Sequence, residues 1–205
     1  MISKILAPFM LGLSLAAGAS FAAPATVGQA APTFSATDAS GKRVSLADYK
    51  GKTVVLEWVN PECPYVRKHY DSVNMQATQR AATAKNVVWL SVNSIHPSHV
   101  DHKTAAEMAA WTQAQRATPT ATLLDGDGRI GRAYGARTTP HMYVVDGRGT
   151  LVYAGGIDDK PSANPADVKT AKNLVNAALA DVLAGRAVAQ AVTRPYGCSV
   201  KYSDG

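Results

Sequence analysis

The most constraining feature of the sequence is an apolar strand that ends close to a cysteine between two prolines. Residues 53–59 read TVVLEWV, a β-branched and aromatic run typical of a strand covered on both faces. The run is followed by NPECP and then, up to about Ala84, by helix-forming residues without a glycine. Proline suits the first turn of a helix, because the N–H that it lacks has no partner there. We therefore predict Cys63 at a strand-to-helix junction, with Asn60 or Glu62 as the helix cap.

The rest of the chain alternates between strand-like and helix-like segments. Further strands are predicted in a hairpin over 34–46, over 86–95, over 120–124, and in a second hairpin over 142–146 and 150–154. Further helices are predicted from about residue 101, over 129–134 and over 168–183. This order is typical of an α/β sandwich with a mixed sheet. Without an internal repeat or linker, residues 23–205 are expected to form a single domain.

The N-terminus has the pattern of a secretory signal peptide. Lys4 precedes an apolar run over 5–17, and Ser20 and Ala22 meet the small-residue requirement of a cleavage site. The run is shorter than the roughly 20 residues that a membrane-spanning helix needs. We predict a signal peptide over 1–22, export to the periplasm, and a mature chain without a membrane span. The cysteines would then meet an oxidising compartment, in which disulfides persist.

Composition and charge exclude several classes of protein. With 46% hydrophobic and 18% charged residues, the chain is neither disordered nor collagen-like nor a coiled coil. Its 21 basic and 15 acidic residues give a net charge of +6, which falls to +5 when Lys4 is removed. No run of five like charges occurs, so the basic excess indicates a solvated surface and we expect no nucleic-acid partner.

The position of Cys63 favours a reactive thiol. The positive end of a helix dipole and its free N–H groups stabilise the thiolate, which is the nucleophilic form. Arg67 and Lys68, one turn further on, would add positive potential, whereas Glu62 would oppose it. The alternative is an inert cysteine buried in the core.

Glu57 is unusual because a carboxylate in an otherwise apolar strand is costly unless it is paired or protonated. Burial would raise its pKa, and it lies six residues before Cys63, so a proton relay to the thiol is one interpretation. A solvent-facing or lysine-paired glutamate is the other.

Several segments, in this order, carry a family resemblance. They are residues 50–63 (KGKTVVLEWVNPEC), 134–141 with Thr139-Pro140, 152–159, and the ending YGCSVKY at 196–202. From about Val27 onward the chain resembles thioredoxin-fold redoxins, specifically the peroxiredoxin-like branch of the AhpC/TSA family. The resemblance implies a thioredoxin-like fold with a mixed central sheet flanked by helices. It also implies a cis-proline loop that faces Cys63, so that Thr139, Pro140 and Pro64 form a substrate groove.

The sequence departs from this family in its cysteines. Val66 stands where a CxxC motif has its second cysteine. In the P-x-x-x-T-x-x-C pattern of peroxiredoxins, counting back from Cys63 gives Leu56 and Asn60, and the family's peroxidatic position falls on Val66. Cys198 is then the candidate for a distal partner, either in a redox-active disulfide with Cys63 or in a permanent structural one.

The predicted function is that of a thiol-disulfide oxidoreductase, with Cys63 as nucleophile, Cys198 as resolving cysteine and Glu57 as proton relay. Its partners would be thiol or disulfide proteins or an external reductant, with no cofactor and no metal. The sequence leaves the oligomeric state open. The alternatives are a thiol-dependent peroxidase, a non-catalytic binding module with a structural disulfide, and a copper-binding chaperone. A copper site is suggested by His96, His99 and His102, which lie close together in one predicted loop. This spacing is nevertheless more typical of an ordinary polar loop that leads into a helix.

Overall fold

The computed structural model describes residues 24–203, so the predicted signal peptide at 1–22 lies outside the described residues. The strands are β1 Ser35–Asp38, β2 Arg43–Ser45, β3 Val54–Trp58, β4 Val88–Asn93, β5 Ala121–Leu124, β6 Thr138–Thr139, β7 His141–Val145, β8 Leu151–Gly155 and β9 Cys198–Ser199. The α-helices are α1 Pro64–Asp71, α2 Asn74–Thr83, α3 Ala105–Ala114, α4 Arg129–Tyr134 and α5 Leu174–Leu183. Short 3₁₀ turns cover Leu46–Tyr49 and Pro165–Lys169.

The main sheet is mixed, as predicted, with the strand order β2-β1-β5-β4-β3-β7-β8. Strands β3, β4 and β5 are parallel, whereas β7 and β8 on one side and β1 and β2 on the other are antiparallel additions. Strand β3 lies between β4 and β7 and is buried throughout, as its uninterrupted apolar run predicted. This strand leads directly to the cysteine at the start of α1.

Both faces of the sheet are covered. On one face, Val55 and Val59 pack with side chains from α1, α2, α3 and α5. On the other face, Leu56 and Trp58 pack with α4 and with the chain before β1. The alternation of side chains along β3 therefore supplies two hydrophobic cores, and α1, which begins at the cysteine, belongs to the first.

The helices differ from the predicted ones at their ends. The single helix expected up to Ala84 is divided into α1 and α2, because Val73 adopts a left-handed conformation with a φ of 62°. Neither Asn60 nor Glu62 caps α1, since the N-cap residue is Cys63 and no side chain supplies a cap hydrogen bond. The last helix begins at Leu174, with Asn173 as its cap. Within residues 24–203, no helix has the length and apolarity needed to cross a membrane.

Candidate active site

Cys63 lies at the N-terminus of α1, where the sequence placed it. Its carbonyl oxygen accepts the first hydrogen bonds of the helix, from the N–H groups of Val66 and Arg67. Pro64 occupies the first turn and gives up no intrahelical hydrogen bond there. The cysteine is only 1% exposed. The thiol is therefore held at the helix end but is shielded from solvent by another part of the chain.

Cys198 is the residue that covers it. The two sulfurs lie 2.7 Å apart, and both cysteines are free thiols. Cys198 pairs with Thr139 in a two-stranded antiparallel ladder formed by β6 and β9. The thiol of Cys63 also donates to the carbonyl oxygen of Thr139 at 3.0 Å, and the Thr139–Pro140 peptide bond is cis. The structure thus brings both cysteines and the proline loop together.

The environment of Cys198 favours its protonated form. Burial and the adjacent sulfur of Cys63 raise the pKa of the Cys198 thiol to about 12. At neutral pH this thiol keeps its proton, so Cys198 is a poor attacking group until the neighbouring sulfur changes its chemical state.

Glu57 is fully buried and is bound by four donors. Its carboxylate accepts hydrogen bonds from Tyr70 at 2.8 Å, Trp89 at 2.7 Å, Ser91 at 3.1 Å and Gln79 at 3.2 Å. Burial raises the pKa of Glu57, and these hydrogen bonds only partly oppose it. Among the described residues, its hydrogen bonds do not reach either sulfur. The link to Cys63 is the helix α1, which carries Tyr70.

The basic residues expected to support Cys63 are bound by carboxylates instead. Arg67 forms a 2.7 Å ion pair with Glu62, which also binds Lys103 at 2.9 Å. Lys68 is buried and lies 3.3 Å from a carboxylate oxygen of Asp158. The charges near the start of α1 are thus largely neutralised in pairs.

Sequence reasoning missed a buried polar cluster behind the cysteines. It consists of Lys68 and His69 from α1, Asp158 after β8, and Tyr196 from the C-terminal tail. Asp158 and Tyr196 both fall within segments that carried the family resemblance, but nothing in the sequence indicates that they meet.

The histidine-rich loop is occupied by local hydrogen bonds. His96 Nδ1 lies 2.7 Å from Ser98 Oγ, and His99 Nδ1 accepts the N–H of Asp101 at 3.0 Å. Over residues 24–203, His, Cys, Asp and Glu side chains form no group of three or more suited to a metal ion. His141, after the cis-proline, is buried and lies 3.1 Å from the Tyr143 hydroxyl, and burial lowers its pKa to about 3.

Solved structures with the same arrangement of elements are known from several bacteria. A hypothetical protein from Sinorhizobium meliloti 1021 is 24% identical, with a TM-score of 0.73 over 88% of this chain and 96% of its own. An uncharacterized conserved protein from Geobacillus kaustophilus is also 24% identical, with a TM-score of 0.74 over 88% and 94%. The thioredoxin domain of a thiol-disulfide oxidoreductase from Bacteroides vulgatus is 20% identical, with a TM-score of 0.52 over 71% and 96%. These similarities confirm the predicted thioredoxin-like fold.

The family follows from the sequence match. Comparison with curated proteins gives no match. Residues 27–154, more than half of the chain, match the AhpC/TSA family. Placement in the peroxiredoxin-like branch stays a prediction. The chain therefore belongs to the AhpC/TSA family.

Proposed function

We propose that the protein is an exported thiol-disulfide oxidoreductase in which Cys63 attacks the substrate and Cys198 resolves the intermediate. The observation that carries this proposal is the 2.7 Å separation of two free thiols, one of them at the N-terminus of a helix. Membership of the AhpC/TSA family and the thioredoxin-like fold support it.

The proposed reaction has two exchange steps. The Cys63 thiolate attacks one sulfur of a substrate disulfide, which forms a mixed disulfide and releases the other substrate sulfur as a thiolate. Cys198 then loses its proton and attacks Cys63 Sγ, which releases the second substrate thiolate. The substrate disulfide is reduced to two thiols, and the protein is oxidised to a Cys63–Cys198 disulfide. An external dithiol then reduces the Cys63–Cys198 disulfide by two further exchange steps and is itself oxidised to a disulfide.

The order of attack follows from the two environments. Cys63 is proposed to act first because it lies at the N-terminus of α1, whereas burial and the neighbouring Cys63 sulfur raise the pKa of the Cys198 thiol. Part of that increase comes from the neighbouring Cys63 sulfur. In the mixed disulfide, Cys63 can no longer be a thiolate. The pKa of Cys198 should therefore fall, which makes Cys198 easier to deprotonate at the step in which it attacks.

The substrate is proposed to approach through a groove of about 600 Å³ beside the cysteines. Tyr65, Thr138 and Gly197 line this groove, and each is next in sequence to a residue of the candidate site. The side chains that line this groove do not include Pro64, Thr139 or Pro140, so the groove role that the resemblance implied for these three residues stays a prediction.

Glu57 is proposed to act as a proton relay. Its raised pKa lets it hold a proton at a higher pH than an exposed glutamate does, and it lies on β3, the strand that leads to Cys63. In Glu57→Gln we expect the pH dependence of the first exchange step to change. An unchanged pH–rate profile would remove Glu57 from the mechanism and leave both cysteines in it.

Reduction of a disulfide-bonded protein such as insulin tests the proposal. Wild-type protein, supplied with an external dithiol, should reduce the substrate, and Cys63→Ser should not. When reduced Cys198→Ser is mixed with the substrate and no external dithiol is present, the reaction should stop at a mixed disulfide that mass spectrometry detects. Full activity in Cys63→Ser would exclude the proposed nucleophile.

A stopped-flow reaction of reduced protein with hydrogen peroxide separates the oxidoreductase from the peroxidase alternative. We expect slow oxidation of Cys63, because Leu56 and Asn60 replace the residues of the peroxiredoxin pattern. Rapid formation of a sulfenic acid, or of the Cys63–Cys198 disulfide, would instead support a peroxidase.

A further inference from the structure

The tail that carries Cys198 is fixed to the body of the protein by the buried polar cluster described above. We call these four side chains, Lys68, His69, Asp158 and Tyr196, the Tyr196 anchor. Tyr196 lies two residues before Cys198, and Lys68 and His69 lie on the helix that begins at Cys63. The anchor therefore joins the two segments that supply the sulfurs.

The hydroxyl of Tyr196 is the centre of the anchor. It donates to Asp158 Oδ1, and it lies 3.1 Å from His69 Nε2 and 3.3 Å from Lys68 Nζ. Asn74 Nδ2 donates to His69 Nδ1 at 2.9 Å, so the imidazole proton is on Nε2 and is donated to Tyr196. Burial lowers the pKa of His69 to about 4, which agrees with a neutral ring that has one proton.

Lys68 and Asp158 supply a charge pair to the anchor. The Lys68 side chain is 0% exposed, and its Nζ lies 3.3 Å from Asp158 Oδ2 and donates to the carbonyl oxygen of Lys160 at 2.7 Å. The same ammonium lies 5.2 Å from the centre of the Tyr196 ring. A buried ion pair holds its partners in a defined geometry, because either charge left alone in the interior would be strongly unfavourable.

The tail is also held beyond Cys198, where the N–H of His96 donates to the carbonyl oxygen of Lys201 at 2.8 Å and the Tyr202 hydroxyl donates to that of Ala136 at 2.8 Å. Only Gly197 separates Tyr196 from Cys198, and β9 pairs with β6 over two residues. Beyond β9, the N–H of Val200 donates to the carbonyl oxygen of Arg137 at 3.0 Å. On the N-terminal side of Cys198, the anchor is thus the nearest buried attachment of the tail.

We propose that Tyr196 is a positioning residue for the Cys63–Cys198 pair, and that its hydroxyl holds the tail so that Cys198 reaches the Cys63 sulfur of a mixed disulfide. This proposal rests on the proposed function, in which Cys198 is the resolving cysteine. The benefit is kinetic, because a fixed tail presents the second thiol at a high effective concentration. Loss of the hydroxyl would leave mixed disulfides unresolved for longer.

The test measures ring closure with glutathione, independently of any protein substrate. Reduced protein is mixed with glutathione disulfide. Attack by Cys63 gives the Cys63–glutathione mixed disulfide and one glutathione thiolate. Attack by Cys198 then gives the Cys63–Cys198 disulfide and a second glutathione thiolate. Acid quenching and mass spectrometry follow both species with time.

In Tyr196→Phe the ring stays and the hydroxyl is lost, so we expect ring closure to slow about 10-fold. The matched control is Tyr134→Phe, which loses a buried hydroxyl that donates to Pro32 at 2.9 Å on the other face of the sheet. Both variants should unfold at a lower temperature, but only Tyr196→Phe should accumulate the mixed disulfide. Equal ring-closure rates in the two variants would assign Tyr196 a structural role and overturn the proposal.

A second variant leaves the anchor intact and inserts one glycine after Gly197. A longer connection between anchor and thiol should also slow ring closure, and an unchanged rate would again overturn the proposal. If the wild-type protein never forms the Cys63–Cys198 disulfide, Cys198 is not a resolving cysteine, and the positioning role of Tyr196 is excluded as well. If Tyr196→Phe slows ring closure as expected but the wild-type protein does not reduce protein disulfides, the proposed oxidoreductase function is excluded and the positioning role of Tyr196 is retained.

Discussion

Gly197 lies so close to the carbonyl of Thr139 that a Cβ atom at position 197 would overlap the carbonyl oxygen. Its φ of +141° is also a conformation that side chains rarely adopt. Both facts follow from the path of the tail, which must pass directly over the proline loop to bring Cys198 to Cys63. A glycine is therefore required immediately before the second cysteine.

Gly197→Ala should loosen this part of the tail and expose Cys63. We expect iodoacetamide to modify Cys63 in the reduced variant about 10-fold faster than in the wild type. The alanine side chain prevents close packing of the tail on the proline loop, so the tail opens more readily. Peptide mapping by mass spectrometry gives the rate at each cysteine. Gly41→Ala is the control, since Gly41 has a φ of +86° and open space around it. Equal Cys63 labelling in both variants would contradict the tail as the cover of the site.

Asp125→Ala should destabilise the fold by about 2–6 kcal/mol. The two carboxylate oxygens accept the N–H groups of Ile130 at 3.0 Å and Gly131 at 2.9 Å in the first turn of α4. Removal of the carboxylate leaves these two buried N–H donors without a partner, at about 1–3 kcal/mol each, and also removes the acceptor of the Ser94 hydroxyl. Urea unfolding measures the difference. Asp127→Ala, at a carboxylate paired with the exposed Arg129, should cost less than about 1 kcal/mol. A similar loss in both variants would contradict this account of α4.

The sequence predicted well those elements whose positions are set by residues close together in the chain. The uninterrupted apolar run of β3 and the proline at 64 predicted the junction at Cys63 without any tertiary information. The break between α1 and α2 was not predictable in this way, because neither glycine nor proline marks it. At the break, Gln76 donates to the carbonyl oxygen of Tyr70 at 2.9 Å and to that of Gln115 at 2.8 Å. The second contact depends on the packing of α3.

In the candidate site, too, features that depend on the cysteines alone were predictable, whereas contacts between distant segments were not. Counting cysteines was enough to suggest Cys198 as a partner, because the chain has only two. How the tail is held was not predictable, since a buried lysine on a helix has no sequence pattern that distinguishes it from an exposed one. Lys68 was expected to act on Cys63 and instead binds Asp158, which lies 90 residues further along the chain.

Glu57 should make the stability of the fold depend on pH. Burial raises its pKa above the ordinary 4.5, so the folded protein keeps this proton at pH values at which the unfolded chain has lost it. The stabilising contribution is complete below about pH 4.5 and is lost as the pH rises through the folded-state pKa. In Glu57→Gln, the amide oxygen still accepts from Trp89 and Ser91, and the amide N–H donates to Tyr70.

Because glutamine does not titrate, the variant should gain stability relative to the wild type as the pH rises. The gain is about 1.4 kcal/mol for each unit by which the two pKa values of Glu57 differ. Urea unfolding of both reduced proteins, between about pH 4 and pH 8, checks this. A stability difference that stays constant over this range would show that Glu57 has the same pKa in both states.

The reduction potential of the Cys63–Cys198 pair distinguishes a catalytic disulfide from a permanent one. An oxidoreductase must exchange with an external dithiol, so we expect a potential above about −300 mV, as for thioredoxins and other exchange proteins. Burial favours the protonated form of Cys198, and stabilisation of that thiol favours the reduced state. Equilibration with a dithiol of known potential, followed by alkylation and mass spectrometry, gives the value, and Cys198→Ser supplies the signal without a disulfide. A potential well below −300 mV would make the disulfide a structural cross-link of two segments 135 residues apart, and the proposed exchange cycle would not operate.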